Sequence, residues 1–167
     1  SGVEIVWCMA PSDLEVEPYH IRPSDVADGK WGATNFTRYY YSVLDQRTPA
    51  KRLFVGETFV PSGNWATFPP HKHEKNDLPN EVFMEEIYYY KVAPAEGFAL
   101  DRHYTDDGAF DRADVIKDDT ALLMPRGYHT VVAAPGYQLY YTWFLAGDIR
   151  QQSPKLDPAL AWVQKTL

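Results

Sequence analysis

Pro69-Pro70-His71-Lys72-His73 places two imidazoles one residue apart. Side chains on an extended strand alternate between faces, so His71 and His73 project to one side and Lys72 to the other. Glu85-Glu86 and Pro125-Arg126-Gly127-Tyr128-His129 follow, and they can bring a carboxylate and a third imidazole from later strands. Three imidazoles and one carboxylate suit a divalent ion such as Zn, Mn, Fe, Co or Ni, and the residue types alone do not choose among these. Three of the five histidines fall in these two segments, whereas His20 and His103 have no such company and read as surface or supporting residues. The carboxylate stays open between Glu85 and Glu86, because a one-residue slip in register exchanges the two faces of a strand.

Such a site needs strands that converge from distant parts of the chain, and strand patterns dominate. Val3 to Met9, Phe36 to Leu44, Lys51 to Val60, Glu86 to Val92, Phe98 to Tyr104, Thr120 to Met124, Thr130 to Ala133 and Gln138 to Ala146 are short β-branched or aromatic runs. Turn signals separate them, among them Pro61-Ser62-Gly63-Asn64, Asp106-Asp107-Gly108 and Ala134-Pro135-Gly136. Many short strands at this spacing point to an all-β sandwich or barrel, in which alternate positions face inward. Glu86, Tyr88 and Tyr90 then share one face, with Glu85, Ile87 and Tyr89 on the other. Asp157 as N-cap and Pro158 at the first helical position predict a short C-terminal helix over Ala159 to Thr166. The expected organisation is an N-terminal arm and connector over 1–35, a barrel over 36–155 and a helical tail over 156–167.

The chain has 167 residues, enough for one domain with a sizeable core. A net charge of −7 argues against nucleic acid or an anionic membrane surface as partner. It leaves room for a small anionic ligand, since a bound cation and a local arginine can reverse the field within a pocket. The lone Cys8 excludes an intrachain disulfide framework. No apolar run is long enough to span a bilayer, and the Ser1-Gly2 start has the form of neither a signal nor a transit peptide, so a soluble cytoplasmic protein is expected.

His-x-His, a Glu opening an aromatic strand, and Pro-x-Gly with a nearby His together resemble the two cupin motifs, which implies a double-stranded β-helix or jelly-roll barrel. The longer stretches Gly63-Asn64-Trp65 to Glu74, Glu85-Glu86-Ile87-Tyr88-Tyr89-Tyr90, and Met124 to His129 with Ala133-Ala134-Pro135-Gly136-Tyr137 and Tyr140-Tyr141 are similar to the 5-deoxy-glucuronate isomerase family of bacterial inositol catabolism. The twelve residues 74–85 between His73 and Glu86 are many more than the common cupin motif has, and that family shares the long spacing. The family is a two-cupin chain, and this sequence resembles its metal-bearing C-terminal half.

The resemblance implies one divalent ion held by His71, His73, Glu86 and His129, with Glu85 as the rival carboxylate. It implies aldose–ketose isomerisation of a sugar acid, an intramolecular oxidoreduction in which the ion polarises carbonyl and hydroxyl oxygens. Glu85 and Tyr88 are the candidate catalytic groups, with Tyr90 and Lys72 also near in sequence. Tyr90, Arg102 and Arg126 are candidates for binding the substrate, the arginines for its carboxylate. Packing between cupin faces leaves a homo-oligomer open. The competing expectations are another metal-dependent cupin enzyme, a dioxygenase or an epimerase, and a non-catalytic sugar-binding cupin.

Overall fold

A computed structural model describes residues 2–166. Eleven strands run in chain order: β1 (Ala27–Trp31), β2 (Arg38–Leu44), β3 (Leu53–Val60), β4 (Trp65–Lys72), β5 (Glu85–Ala93), β6 (Ala99–Tyr104), β7 (Asp111–Ile116), β8 (Thr120–Met124), β9 (Tyr128–Ala133), β10 (Gln138–Ala146) and β11 (Lys155–Leu156). They form a six-stranded sheet in the order β1-β2-β3-β10-β5-β8 and a five-stranded sheet in the order β11-β4-β9-β6-β7. Every pairing is antiparallel. This is the cupin-like sandwich expected from the motifs.

The alternation read from sequence is what drives the two sheets together. On β5 the residues Glu86, Tyr88, Tyr90 and Val92 are buried and Glu85 and Ile87 are exposed. Tyr88, Tyr90, Leu139 and Tyr141 from the larger sheet pack with Ala66, Ala99, Val131 and Ala133 from the smaller one. Burial of such side chains stabilises by roughly 1.5–3 kcal/mol each. Gly56 on β3 faces Trp143 on β10, and a Cβ there would lie 2.0 Å from the indole. Any side chain at this position would displace the indole from where it packs.

β4 carries the first two imidazoles and is irregular. Its register with β9 runs Trp65↔Val132 and Ala66↔Val131, then resumes at His71↔His129. Pro69 and Pro70 fall within the break, where they have no N–H to withhold from a ladder. The Thr130 hydroxyl donates to the Ala66 carbonyl at 3.0 Å, and Thr67 takes a left-handed φ of 51°. β11 then pairs with the end of β4, Leu156 opposite His71.

Three expectations differ from what is observed. Val3 to Met9 forms no strand, since its backbone has no neighbour to pair with among the described residues, and Val3, Ile5, Trp7 and Met9 stay exposed. Strand β1 lies inside the segment expected to be an arm, so sheet pairing begins before residue 36. The C-terminal turn does start at Asp157, whose Oδ1 accepts from Ala159 N–H at 2.8 Å, but it continues as a 3-10 helix over Ala161–Thr166. No helix among the described residues is long and apolar enough to cross a membrane.

Candidate metal centre

Strand register brings the histidines together. His71 and His129 are cross-strand partners on β4 and β9, with ring centroids 4.7 Å apart. Two residues on, His73 lies with its ring 5.1 Å from that of His71. Glu86 enters from the opposite sheet on β5, its Oε2 at 3.0 Å from His129 Nε2 and 3.7 Å from His73 Nε2. One ligand atom each from His71, Glu86 and His129 lie within 4.8 Å of one another. His73 stands a little outside that tight trio.

His71, His73 and Glu86 border a cavity of about 410 Å³ between the sheets, lined also by Arg38, Tyr88, Tyr141 and Trp143, with His129 packed behind them. Burial lowers the pKa of His71 well below its ordinary value, helped by the charges of His129, His73 and Arg38. Burial likewise lowers His73 to about 4, against the opposing pull of Glu86. For Glu86, burial favours the proton, but the facing imidazoles of His129 and His73 and the Tyr88 hydroxyl outweigh it and hold the carboxyl below its ordinary value. For His129, burial opposes charge and the Glu86 carboxylate overcomes it, raising the imidazole.

The neutral imidazoles of His71 and His73 and the ionised Glu86 carboxylate are donors that a divalent cation requires, and His129 would join them on giving up its proton. The hydrogen bonds agree with that chemistry. His73 Nδ1 and Nε2, Glu86 Oε2 and His129 Nδ1 are buried with no hydrogen-bond partner among the described residues. Buried polar atoms are almost always satisfied, so a cluster of unsatisfied lone pairs at one spot fits an ion better than it fits a packed core.

The other residues singled out by sequence fall in different places. Tyr88 lines the cavity with its hydroxyl 3.1 Å from His129 Nε2, and stacks on Tyr141 at 4.5 Å. Tyr90 is fully buried and donates to Asp101 Oδ2 at 3.3 Å. Glu85 is exposed on the outer face, as the alternation of β5 demands once Glu86 points in. Arg102 is on the outer face of β6, bound through two hydrogen bonds to Asp111. Arg126 is exposed and 3.7 Å from Asp107. Lys72, on the reverse side of β4, is buried and paired with Glu74 and Asp106. The structure therefore brings together His71, His73, Glu86, His129 and Tyr88, and leaves Glu85, Arg102 and Arg126 outside. Arg38 was not singled out from the sequence. Its one signal is a lone cation inside the aromatic run Phe36 to Tyr41.

Known proteins resemble the chain at three levels. A 5-deoxy-glucuronate isomerase of Geobacillus kaustophilus is 41% identical over 166 residues, covering 99% of this chain and 60% of the relative. One of Bacillus subtilis strain 168 is 34% identical over 164 residues, with 98% and 60% covered. The chain thus spans about 60% of the length of the curated relatives it matches. The crystal structure of an IolB-like protein from Salmonella typhimurium LT2 superposes with a TM-score of 0.84 at 31% identity, over 86% of this chain and 54% of that one. The polyketide cyclase RemF from Streptomyces resistomycificus, at 19% identity and a TM-score of 0.55 over 84% of this chain and 85% of the other, shares the fold alone. The KduI/IolB family matches residues 1–163, and with the long shared motifs and the sandwich that carries them, the chain belongs to that family.

Proposed function

We propose that the chain carries the metal centre of a 5-deoxy-glucuronate isomerase, converting an aldose acid to its ketose in sugar-acid catabolism. The observation that carries the proposal is the convergence of His71, Glu86 and His129 beside a cavity that His71 and Glu86 line and that is large enough for a small sugar, in a chain whose relatives bear that name. His71, His73, Glu86 and His129 would hold one divalent ion. Bound there, the ion would supply Lewis acidity toward the carbonyl and the neighbouring hydroxyl of the substrate.

The protein's own groups do the rest. Burial first, and then the Glu86 charge, raise the Tyr88 hydroxyl well above its ordinary pKa, so it is a neutral phenol at physiological pH. In that state it donates a hydrogen bond and can hand a proton to a substrate oxygen. Tyr88 is itself held in place by His129 and by the stacked Tyr141 ring. Walls of Tyr141, Trp143 and Leu145 limit the water that reaches the reacting carbons.

A second reading of His73 has one observation in its favour. It lies outside the tight trio and is held neutral, so it can accept the proton that must move between adjacent carbons. His73→Gln separates the two roles: a ligand's loss lowers metal content, whereas a base's loss keeps the metal and abolishes turnover.

The function is tested by incubating the metal-loaded chain with 5-deoxy-glucuronate and following the aldehyde proton and the new ketone carbon by NMR. Conversion is expected. Absence of any conversion by a folded, metal-loaded chain would sink the assignment.

A further inference from the structure

Arg38 opens β2, opposite Trp31 on the edge strand β1, and its side chain reaches the same cavity as His71, His73 and Glu86. Its Nη1 is buried and has no hydrogen-bond partner among the described residues. Arg102 and Arg126, by contrast, sit against Asp111 and Asp107 on the surface. A guanidinium does not lose its proton under ordinary conditions, so a cation persists in this cavity. The Trp31 ring, 5.8 Å from Cζ, offsets only part of the cost of burial. The phenols of Tyr141, Tyr88 and Tyr40 are its neighbours, and all three line the cavity without supplying a charge to pair with it. With Glu86 turned to the imidazoles, the wall around this fixed positive fork is aromatic and uncharged, and the fork lacks an anion of its own.

We infer that Arg38 receives the carboxylate of the substrate, docking a sugar acid with its acid end on β2 and its carbonyl end toward His71, Glu86 and His129. The inference rests on the isomerase reading for the carbonyl end and adds what selects the substrate class. The planar fork of arginine matches a carboxylate through two parallel hydrogen bonds, and both groups become neutralised on binding. The cavity falls within the ~300–1,000 Å³ span of small-molecule sites, so one ligand can touch both ends. Neutral aldoses would leave the guanidinium unpaired, and the site rejects them for that reason.

The experiment compares binding of D-glucuronate and D-glucuronamide, an acid and its uncharged counterpart, to wild type, Arg38→Met and Arg38→Lys by titration calorimetry. Metal content and thermal unfolding are recorded for each. Wild type should prefer the acid at least tenfold. Arg38→Met should lose that preference by weakening acid binding tenfold or more, with amide binding and metal content unchanged. Arg38→Lys, which keeps charge but not the fork, should retain part of the preference, and it carries the test if the methionine variant does not fold. Equal binding of acid and amide by wild type, or full acid preference in either variant, overturns the inference. A wild type that selects acids through Arg38 yet leaves 5-deoxy-glucuronate unchanged would sink the isomerase reading and keep this one. Turnover with a KM untouched by Arg38→Lys would do the reverse.

Discussion

Glu86 and Glu85 are adjacent, chemically identical and energetically opposite. Glu86 is buried at 3% exposure against two imidazoles, whereas Glu85 faces solvent across from Ala146. Glu86→Gln should lower metal content at least tenfold in elemental analysis of purified protein, since the amide keeps the shape but loses the anionic charge that holds a cation. Glu85→Gln should leave it unchanged. The converse pattern would exchange their roles. The imidazole set was legible in sequence, but a period of two says only that Glu85 and Glu86 lie on opposite faces, and the register of β5 decides that Glu86 is the inward one. Arg38 was not legible, since nothing in the run Phe36 to Tyr41 says which side of β2 meets a cavity until β1 and β3 are in place.

Elements decide how stably these residues are held. β6 places Asp101 wholly inside, where its Oδ1 has no partner among the described residues and burial raises its pKa to about 6. The unfolded chain releases that proton near pH ~3.9. Between the two values the folded state binds more protons, so stability falls as pH rises through about 4 to 6 and stays lower above. Asp101→Asn removes this loss and should gain on the order of 2 kcal/mol relative to wild type between pH 4 and pH 7, read from urea unfolding at both. An unchanged difference between the two pH values would contradict the assignment. At β3, Gly56→Ala puts a methyl into the Trp143 ring and 2.6 Å from the Tyr41 carbonyl oxygen. It should cost roughly 1–3 kcal/mol in thermal unfolding and shift tryptophan fluorescence, because Trp143 also borders the cavity. β7 shows why some elements escape sequence reading: its run Asp111-Arg112-Ala113-Asp114 is an exposed edge, so apolar alternation never had to be written there.

The two sheets act as one body because their inner faces share a core. Leu139 on β10, at 1% exposure, sits within it, and Leu139→Ala should cost about 2–5 kcal/mol in urea denaturation. A loss under 1 kcal/mol would mean the sheets are not packed as described. The fold class was readable from the many short strands, while Val3 to Met9 misled because alternation describes a surface that could be covered and not one that is.

The break in register on β4 has an arithmetical consequence. From Ala66↔Val131 to His71↔His129, β4 advances five residues where β9 advances two. The surplus is odd, so it changes parity: even-numbered residues face the core before the break, as Ala66 does, and odd-numbered His71 and His73 face the cavity after it. Strict alternation from Ala66 with no break would instead turn Lys72 toward Glu86 and leave both histidines on the outside, so the irregularity is what aims the imidazoles inward. Whether this strand offers imidazoles or an ammonium to the cavity is thus decided by one irregular step in its alternation.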